Sequence, residues 1–223
     1  MASAKGAAVV DFYHSVYQGT ERVAGLMVDV VWFQPSDSLR FGCRIGSERQ
    51  TRLVLKVQTL RVNGTVLDLL AFSEVDLQSA VPLPPVLRNM QTTHGCQVVD
   101  VPMHKTSAAR HGWVLRRSLP GFHPVHCYDH GPSPAAQKLN GATPQCTYSD
   151  GLASVSLFIE PYDIAKDENA SDSNAVQRSG GLWSMGAAHA LVQRVGLDGW
   201  LTAVGEVPVD TLQQFAECLE WLQ

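Results

Sequence analysis

Two serines stand in a stretch of sequence that could be either a nucleophilic site or an ordinary strand. The stretch at residues 148–161 reads YSDGLASVSLFIEP and contains Ser154 and Ser156. Neither serine lies in the Gly-x-Ser-x-Gly turn that exposes the nucleophile of a serine hydrolase. Apolar residues recur at every second position, which is typical of a strand with one buried face. We therefore expect no catalytic residue here and place both serines on the polar face of a strand.

A second polar cluster, HPVHCYDH at residues 123–130, contains side-chain types that bind zinc. If the segment is a strand, His126 and His130 share one face, while His123, Cys127 and Asp129 share the other. Neither face then presents the three or four close ligands of a structural zinc site. We expect an exposed edge strand with polar side chains and no metal site. The glycine spacing elsewhere matches no nucleotide-binding loop, so no cofactor is expected.

The five cysteines are dispersed and form no Cys-x-x-Cys pair. Cys127 and Cys146 flank a connection that contains glycine and proline, and they could face each other across neighbouring strands. Their spacing allows either a disulfide or two free, partly buried thiols. We favour the free thiols.

Composition gives no indication of a nucleic-acid partner or of a membrane span, although a local basic patch is compatible with it. The formal charge is -4, with 17 basic against 21 acidic side chains, so nothing indicates nucleic-acid binding through a general basic field. No apolar run approaches the roughly 20 residues that span a bilayer. The opening residues lack the long apolar core of a signal peptide.

The first third of the chain predicts an antiparallel sheet. Four strands are expected, at residues 25–37, 38–45, 51–62 and 65–72, and the last two meet across Asn63-Gly64, a strong hairpin signal. Upstream of them, residues 7–17 have a short amphipathic pattern that favours a helix. Residues 79–110 have no sustained period and are predicted to be a linker.

The rest of the chain, residues 111–223, predicts strands followed by one terminal helix. Asp210 is expected as the N-cap, with Gln213 in the capping-box position. The expected apolar face of this helix consists of Leu212, Phe215, Ala216, Leu219 and Leu222. Strands covered by such a helix make an α+β domain.

Glu206 stands between the last expected strand and this helix. It could contact a partner near the helix start, or it could simply favour the positive end of the helix. We favour the electrostatic interpretation.

Several segments, in order along the chain, resemble the MucB/RseB family of periplasmic regulators of the sigma-E envelope-stress response. Similar to its C-terminal domain are LPGF at 119–122, the stretch at 148–161, ALVQRVGLDGWLTAVGEVP at 190–208 and the terminal helix. Similar to the second half of its N-terminal domain are RVAGLMVDVVWFQPSDSLRFGCRI at 22–45 and NGTVLDLLAFSEVDL at 63–77.

The resemblance implies an α+β fold in two domains. Residues 1–78 would form part of an unclosed, antiparallel β-barrel like that of the lipoprotein carrier LolA. After the linker, residues 111–223 would form the smaller α+β domain with its C-terminal helix. A half-barrel leaves an open sheet edge, so a homo-oligomer is a further possibility.

The resemblance also implies a non-enzymatic role in the periplasm. The partner would be the periplasmic domain of an RseA/MucA-like anti-sigma factor, which such proteins shield from proteolysis and release when lipopolysaccharide or lipid is sensed. A lipid or lipoprotein carrier is the alternative. The candidate partner-binding residues are Tyr148, Asp150, Ser154, Ser156 and Glu206.

Overall fold

The computed structural model describes residues 9–79, 95, 103–130, 143–161, 180–196 and 199–222. These residues build two antiparallel sheets, a short two-stranded ribbon and one α-helix. Within this part of the chain, no helix has the length and apolarity needed to cross a membrane.

The first sheet is a meander in which each strand pairs with its neighbours in sequence. A 3-10 helix at Val9–Asp11 precedes it, and its strands, in spatial order, are β1 (Tyr13–Val23), β2 (Leu26–Pro35), β3 (Gly42–Glu48), β4 (Val54–Leu60) and β5 (Val66–Ala71). The predicted hairpin is confirmed, since β4 pairs with β5 across Asn63 and Gly64. Gly64 has a φ of 83°, which glycine adopts without strain.

The expected helix over residues 7–17 is wrong for its second half, because residues 13–17 belong to β1, while Val9–Asp11 form a short 3-10 helix. The 11-residue strand pairs with β2, and Val23 lies opposite Leu26. Between them Ala24 and Gly25 have φ values of 47° and 78°, the backbone of a two-residue hairpin turn. Pairing with β2 therefore overrides the local helical pattern.

The strand expected to begin at residue 38 begins instead at Gly42. Residues 36–41 form a connection between β2 and β3, and we call them the insertion segment. The segment contains Leu39, Arg40 and Phe41, all buried. Burial of a connection is unusual, since connections normally run over the surface.

The second sheet contains the remaining long strands. Its members are β6 (Met103–Lys105), β8 (His123–His130), β9 (Thr143–Ser149), β10 (Ser154–Pro161), β11 (Gly181–Met185), β12 (Ala188–Val195) and β13 (Gly199–Gly205), in the spatial order β11-β12-β13-β10-β9-β8-β6. A 3-10 helix at Ala108–His111 precedes the two-stranded ribbon, which joins β7 (Trp113–Leu115) to β14 (Leu219–Trp221).

The expectation that residues 123–130 form an exposed edge strand is only partly correct. They are a strand and residues 123–126 are exposed, but β6 pairs with the outer side of β8 at residues 128–130. β6 lies within the range 79–110 that the sequence assigned to the linker. The residues of that range up to 102, apart from Ser79 and Gly95, lie outside the described residues.

The interpretation of Cys127 and Cys146 as free thiols is also wrong, because the two residues form a disulfide. They lie directly opposite each other in the pairing of β8 with β9, and their Cα atoms are 4.1 Å apart. Strand register, which spacing alone does not give, decides this point.

Helix α1 spans Val209–Cys218, and the predicted capping box is not present. Pro208 is the N-cap residue and makes no side-chain cap, so Asp210 lies inside the first turn. There its charge favours the positive helix end.

The predicted apolar face of the helix is only partly correct. Leu212, Phe215 and Ala216 are buried on α1 as expected. The helix ends before Leu219, which starts β14, and Leu222 lies beyond that strand with 48% of its surface exposed.

The predicted alternation in β10 is confirmed. Ala153, Val155, Leu157 and Ile159 are buried in the main hydrophobic core, between the second sheet and α1. A second, smaller core lies on the first sheet and consists of Val23, Val28, Val30 and Leu55.

Candidate functional site

The insertion segment links the first sheet to the main hydrophobic core, which lies on the second sheet. Leu39 is 8% exposed and belongs to the main hydrophobic core. Its carbonyl oxygen accepts a hydrogen bond of 2.7 Å from the Thr211 hydroxyl on α1. The helix that covers the second sheet therefore also holds the connection between β2 and β3.

Arg40 follows directly and is the most buried charged residue described, at 1% exposure. Its Nε donates to Asp37 Oδ1 at 3.0 Å, and its Nη2 donates to the carbonyl oxygen of Pro120 at 2.6 Å. Its Nη1 lies 3.0 Å from Asp150 Oδ2, an ion pair whose angle falls short of a hydrogen bond. One guanidinium thus joins the insertion segment to two loops of the second half of the chain.

Aromatic rings from both halves of the chain enclose the Arg40 guanidinium. The guanidinium carbon lies 4.6 Å from the ring centre of Phe12, 5.1 Å from that of Phe122 and 5.8 Å from that of Tyr13. Such contacts stabilise a cation that has lost its water. The rings therefore compensate part of the cost of burying the charge.

Asp150 completes this arrangement from the β9–β10 turn. Its Oδ1 accepts the backbone N–H groups of Leu152 at 2.9 Å and Ala153 at 2.7 Å, which fixes the turn. Its Oδ2 accepts the Tyr13 hydroxyl at 3.1 Å. Burial, and then the Asp150 charge, raise the pKa of Tyr13 above its ordinary value.

We call Tyr13, Asp37, Arg40, Pro120 and Asp150 the Arg40 cluster. The cluster lies where the two sheets meet. The close approach of the 120–121 backbone to the Arg40 guanidinium depends on a glycine. Gly121 has a φ of 81°, and a Cβ at this position would lie 2.8 Å from Arg40 Nη1. No other residue type fits there without displacing the guanidinium or the neighbouring ring.

A second group of contacts lies beside the cluster. The ring centres of Phe41 and His189 are 5.9 Å apart, and His189 Nδ1 lies 2.7 Å from the carbonyl oxygen of Val207.

On β3, burial and then the charge of Glu206 raise the pKa of the Cys43 thiol to about 11. Glu206 therefore acts electrostatically on the first sheet.

The five candidate residues from the sequence lie near one end of the second sheet, but they differ in burial and in what they contact. Tyr148 is half-buried and packs on Phe215 of α1, with ring centres 5.5 Å apart. Asp150 is buried in the Arg40 cluster. Ser154 is exposed, and Ser156 is half-buried with its hydroxyl 3.0 Å from that of Thr147.

Glu206 is exposed directly after Gly205, which pairs with Val155. The structure thus brings the five residues into one region without forming one surface from them. Their contact with a partner stays a prediction.

Sequence reasoning missed Arg40, Leu39 and Tyr13. Leu39-Arg40-Phe41 was assigned to a strand, in which the arginine would have pointed away from its apolar neighbours. The available signal was the Ser36–Asp37 turn composition followed at once by bulky apolar residues, since a connection that contains such residues must bury them against something.

Two family models match the chain in order. The model of the MucB/RseB N-terminal domain matches residues 1–94, and that of the MucB/RseB C-terminal domain matches residues 107–220. The Arg40 cluster joins residues from both matched ranges.

A curated relative and solved structures agree with this assignment. The sigma factor AlgU regulatory protein MucB of Pseudomonas aeruginosa is 30% identical over 210 residues, which are 89% of this chain and 57% of the relative. The chain therefore spans little more than half the length of that relative. The crystal structure of MucB in complex with MucA(peri) matches with a TM-score of 0.70 at 25% identity, over 96% of this chain and 69% of that one.

A further structure, the complex of Pseudomonas aeruginosa MucA and MucB, also has a TM-score of 0.70. At 24% identity it shares the fold, and it covers 96% of this chain and 67% of that one. With both family models matched in order, this chain belongs to the MucB/RseB family.

Proposed function

We propose that this chain is a non-enzymatic regulator that binds the periplasmic domain of a MucA/RseA-like anti-sigma factor and shields it from proteolysis. The observation that carries the proposal is the match, over 96% of this chain, to the structure of MucB bound to MucA(peri). The curated relative is named a sigma factor regulatory protein, which supports a regulatory role rather than catalysis.

A periplasmic location is part of the proposal, and the Cys127–Cys146 disulfide supports it. Disulfides persist in oxidising compartments such as the bacterial periplasm and are rare in the cytosol. The bond also ties β8 to β9, the strand that leads into the Asp150 turn.

The remaining details are proposals of the same kind. We retain the division into a partial, LolA-like β domain over 1–78, a linker over 79–110 and a C-terminal domain over 111–223. Of the five candidate partner-binding residues, Ser154 and Glu206 are exposed enough for direct contact. Asp150 would act indirectly, by holding the β9–β10 turn. Lipid or lipopolysaccharide would act as the signal that releases the partner.

The test is direct binding between the purified chain and the periplasmic domain of a MucA-like protein, measured by biolayer interferometry. The cytoplasmic domain of the same anti-sigma factor is the control, and it should not bind. A protease added to the periplasmic domain should cleave it more slowly when the chain is present. Absence of both binding and protection would overturn the proposal.

A further inference from the structure

The two sheets of this chain have separate hydrophobic cores. The core of the first sheet consists of Val23, Val28, Val30 and Leu55, and none of these residues belongs to the main core of the second sheet. Of the residues described, Leu39 is the only member of the main core contributed by the region before residue 80. The orientation of the sheets therefore does not follow from one shared core.

The contact at their junction is instead centred on a buried charge. Arg40 Nη1 and Asp150 Oδ2 lie 3.0 Å apart, and neither side chain has exposed surface. Burying such a pair costs desolvation energy, so its net contribution to stability is small. The guanidinium is oriented by its hydrogen bonds, because its planar donors have fixed positions and its Nε and Nη2 donate to Asp37 and to the Pro120 carbonyl oxygen.

The surroundings restrict the guanidinium further. Its Nη2 reaches the Pro120 carbonyl oxygen at 2.6 Å, while Phe12 and Phe122 contact it from the two halves of the chain. A shift of one sheet against the other would break these contacts together. It would leave the buried Asp150 carboxylate without its cationic partner, since Arg40 would keep only Asp37 of its own segment. Leaving a buried charge unpaired costs far more free energy than sliding one apolar surface over another.

We propose that Arg40 is a positioning residue for partner binding: through Asp150, Pro120 and Tyr13 it fixes one orientation of the two sheets, and the anti-sigma segment binds only this orientation. The inference rests on the proposed function and adds the residue that controls it. A ligand that favours another orientation would then weaken the partner's binding without touching its contact residues.

The experiment compares Arg40→Met with Arg44→Met in the full chain. Both replace an arginine by an apolar side chain, but Arg44 lies on β3 and its Nη1 contact, to Gln58 at 3.5 Å, stays within the first sheet. Nitroxide amino acids encoded at Gln50 and Gln213, which are both exposed, report the distance between the sheets by electron-electron double resonance. Affinity for the MucA-like periplasmic domain is measured on the same samples.

We expect a narrow distance distribution in the unaltered chain and in Arg44→Met, and a broad one in Arg40→Met. Affinity for the partner should fall about tenfold in Arg40→Met alone, within the usual range of coupling between sites. Far-UV circular dichroism should stay unchanged, and Arg40→Lys, which retains the charge, should restore part of the affinity. A merely structural role would lower thermal stability and leave the distance and the affinity of the folded protein unchanged.

Asp150→Asn serves as the second variant if Arg40→Met fails to fold. Its amide oxygen can still accept the Leu152 and Ala153 N–H groups, so the turn is retained while the charge opposite Arg40 is lost. It should broaden the distribution and weaken binding in the same way.

A narrow distribution in both variants would overturn the positioning role, and so would a broad one with unchanged affinity. Failure of the unaltered chain to bind any partner would instead overturn the proposed function. The two failures are therefore distinguishable.

Discussion

The guanidinium of Arg40 and the carboxylate of Asp150 form a fully buried ion pair between two sheets that are far apart in sequence. The same carboxylate shapes the β9–β10 turn and accepts the Tyr13 hydroxyl. Local turn structure and long-range orientation therefore depend on one side chain. The turn is part of the YSDGL segment that carries the family resemblance, which gives that segment a structural role.

Gly121→Ala should destabilise the chain more than Gly64→Ala. Both glycines have a positive φ, which costs other residues about 1–2 kcal/mol. At Gly64 a Cβ meets nothing within 4 Å, whereas at Gly121 it would lie 2.8 Å from Arg40 Nη1 and 2.9 Å from the Phe12 ring. Urea denaturation of both variants measures the difference. Equal losses of stability would contradict the close packing around Arg40.

Leu157→Ala should lower the free energy of unfolding by about 2–5 kcal/mol, because it leaves a cavity in the main core. Ser154→Ala, on the exposed face of the same strand, should change it by no more than about 0.5 kcal/mol. Chemical denaturation of the two variants under identical conditions provides the comparison. A large loss in Ser154→Ala would show that this face is covered in solution.

Removing the Cys127–Cys146 disulfide should cost about 3 kcal/mol, the chain-entropy value for a loop of this length. The melting temperature of the unaltered chain should fall when dithiothreitol is added. The double variant Cys127→Ala/Cys146→Ala should melt at the lower temperature with or without the reductant. A reductant effect that persists in the double variant would assign it to other cysteines.

Glu48 should make stability depend on pH in the acid range. Its carboxylate accepts the backbone N–H and hydroxyl of Thr51 and the N–H of Gln50, and these bonds lower its pKa below the ordinary value. The stabilisation is complete above the unfolded-state pKa of about 4.3 and is lost as pH falls through the lower folded-state pKa. The stability difference between the unaltered chain and Glu48→Gln should therefore shrink below about pH 4. Parallel stability curves across this range would contradict the effect.

Cys43 should react slowly with iodoacetamide at pH 8, and its rate should rise toward a midpoint near its pKa of about 11. Because the Glu206 charge contributes to this high pKa, Glu206→Gln should move the midpoint to lower pH. Peptide mapping by mass spectrometry isolates the Cys43 signal from those of the other thiols. Asp210→Asn, which neutralises another exposed acid near the helix start, is the control and should leave the midpoint in place. An unchanged midpoint in Glu206→Gln would contradict the proximity of Glu206 to the first sheet.

Features that depend only on residues adjacent in sequence were predictable. The alternation from Ala153 to Ile159 identified the buried face of β10, and Asn63-Gly64 identified a hairpin, because strand geometry and turn conformation are local properties. Predictions failed where a local helical pattern competed with strand pairing between segments. Residues 7–17 suggested a helix, but residues 13–17 pair with β2, and the apolar face assigned to α1 continued into β14.

The sequence by itself determined the family, the β-rich architecture with one terminal helix and the polar placement of Ser154, since these follow from composition, period and recognisable segments. Only the tertiary structure decided that Cys127 bonds to Cys146 and that Arg40 meets Asp150. The first depends on the register between β8 and β9, and the second on how two sheets with separate cores approach each other. A period-two pattern shows which face of a strand is buried, but it contains no information about what lies against that face.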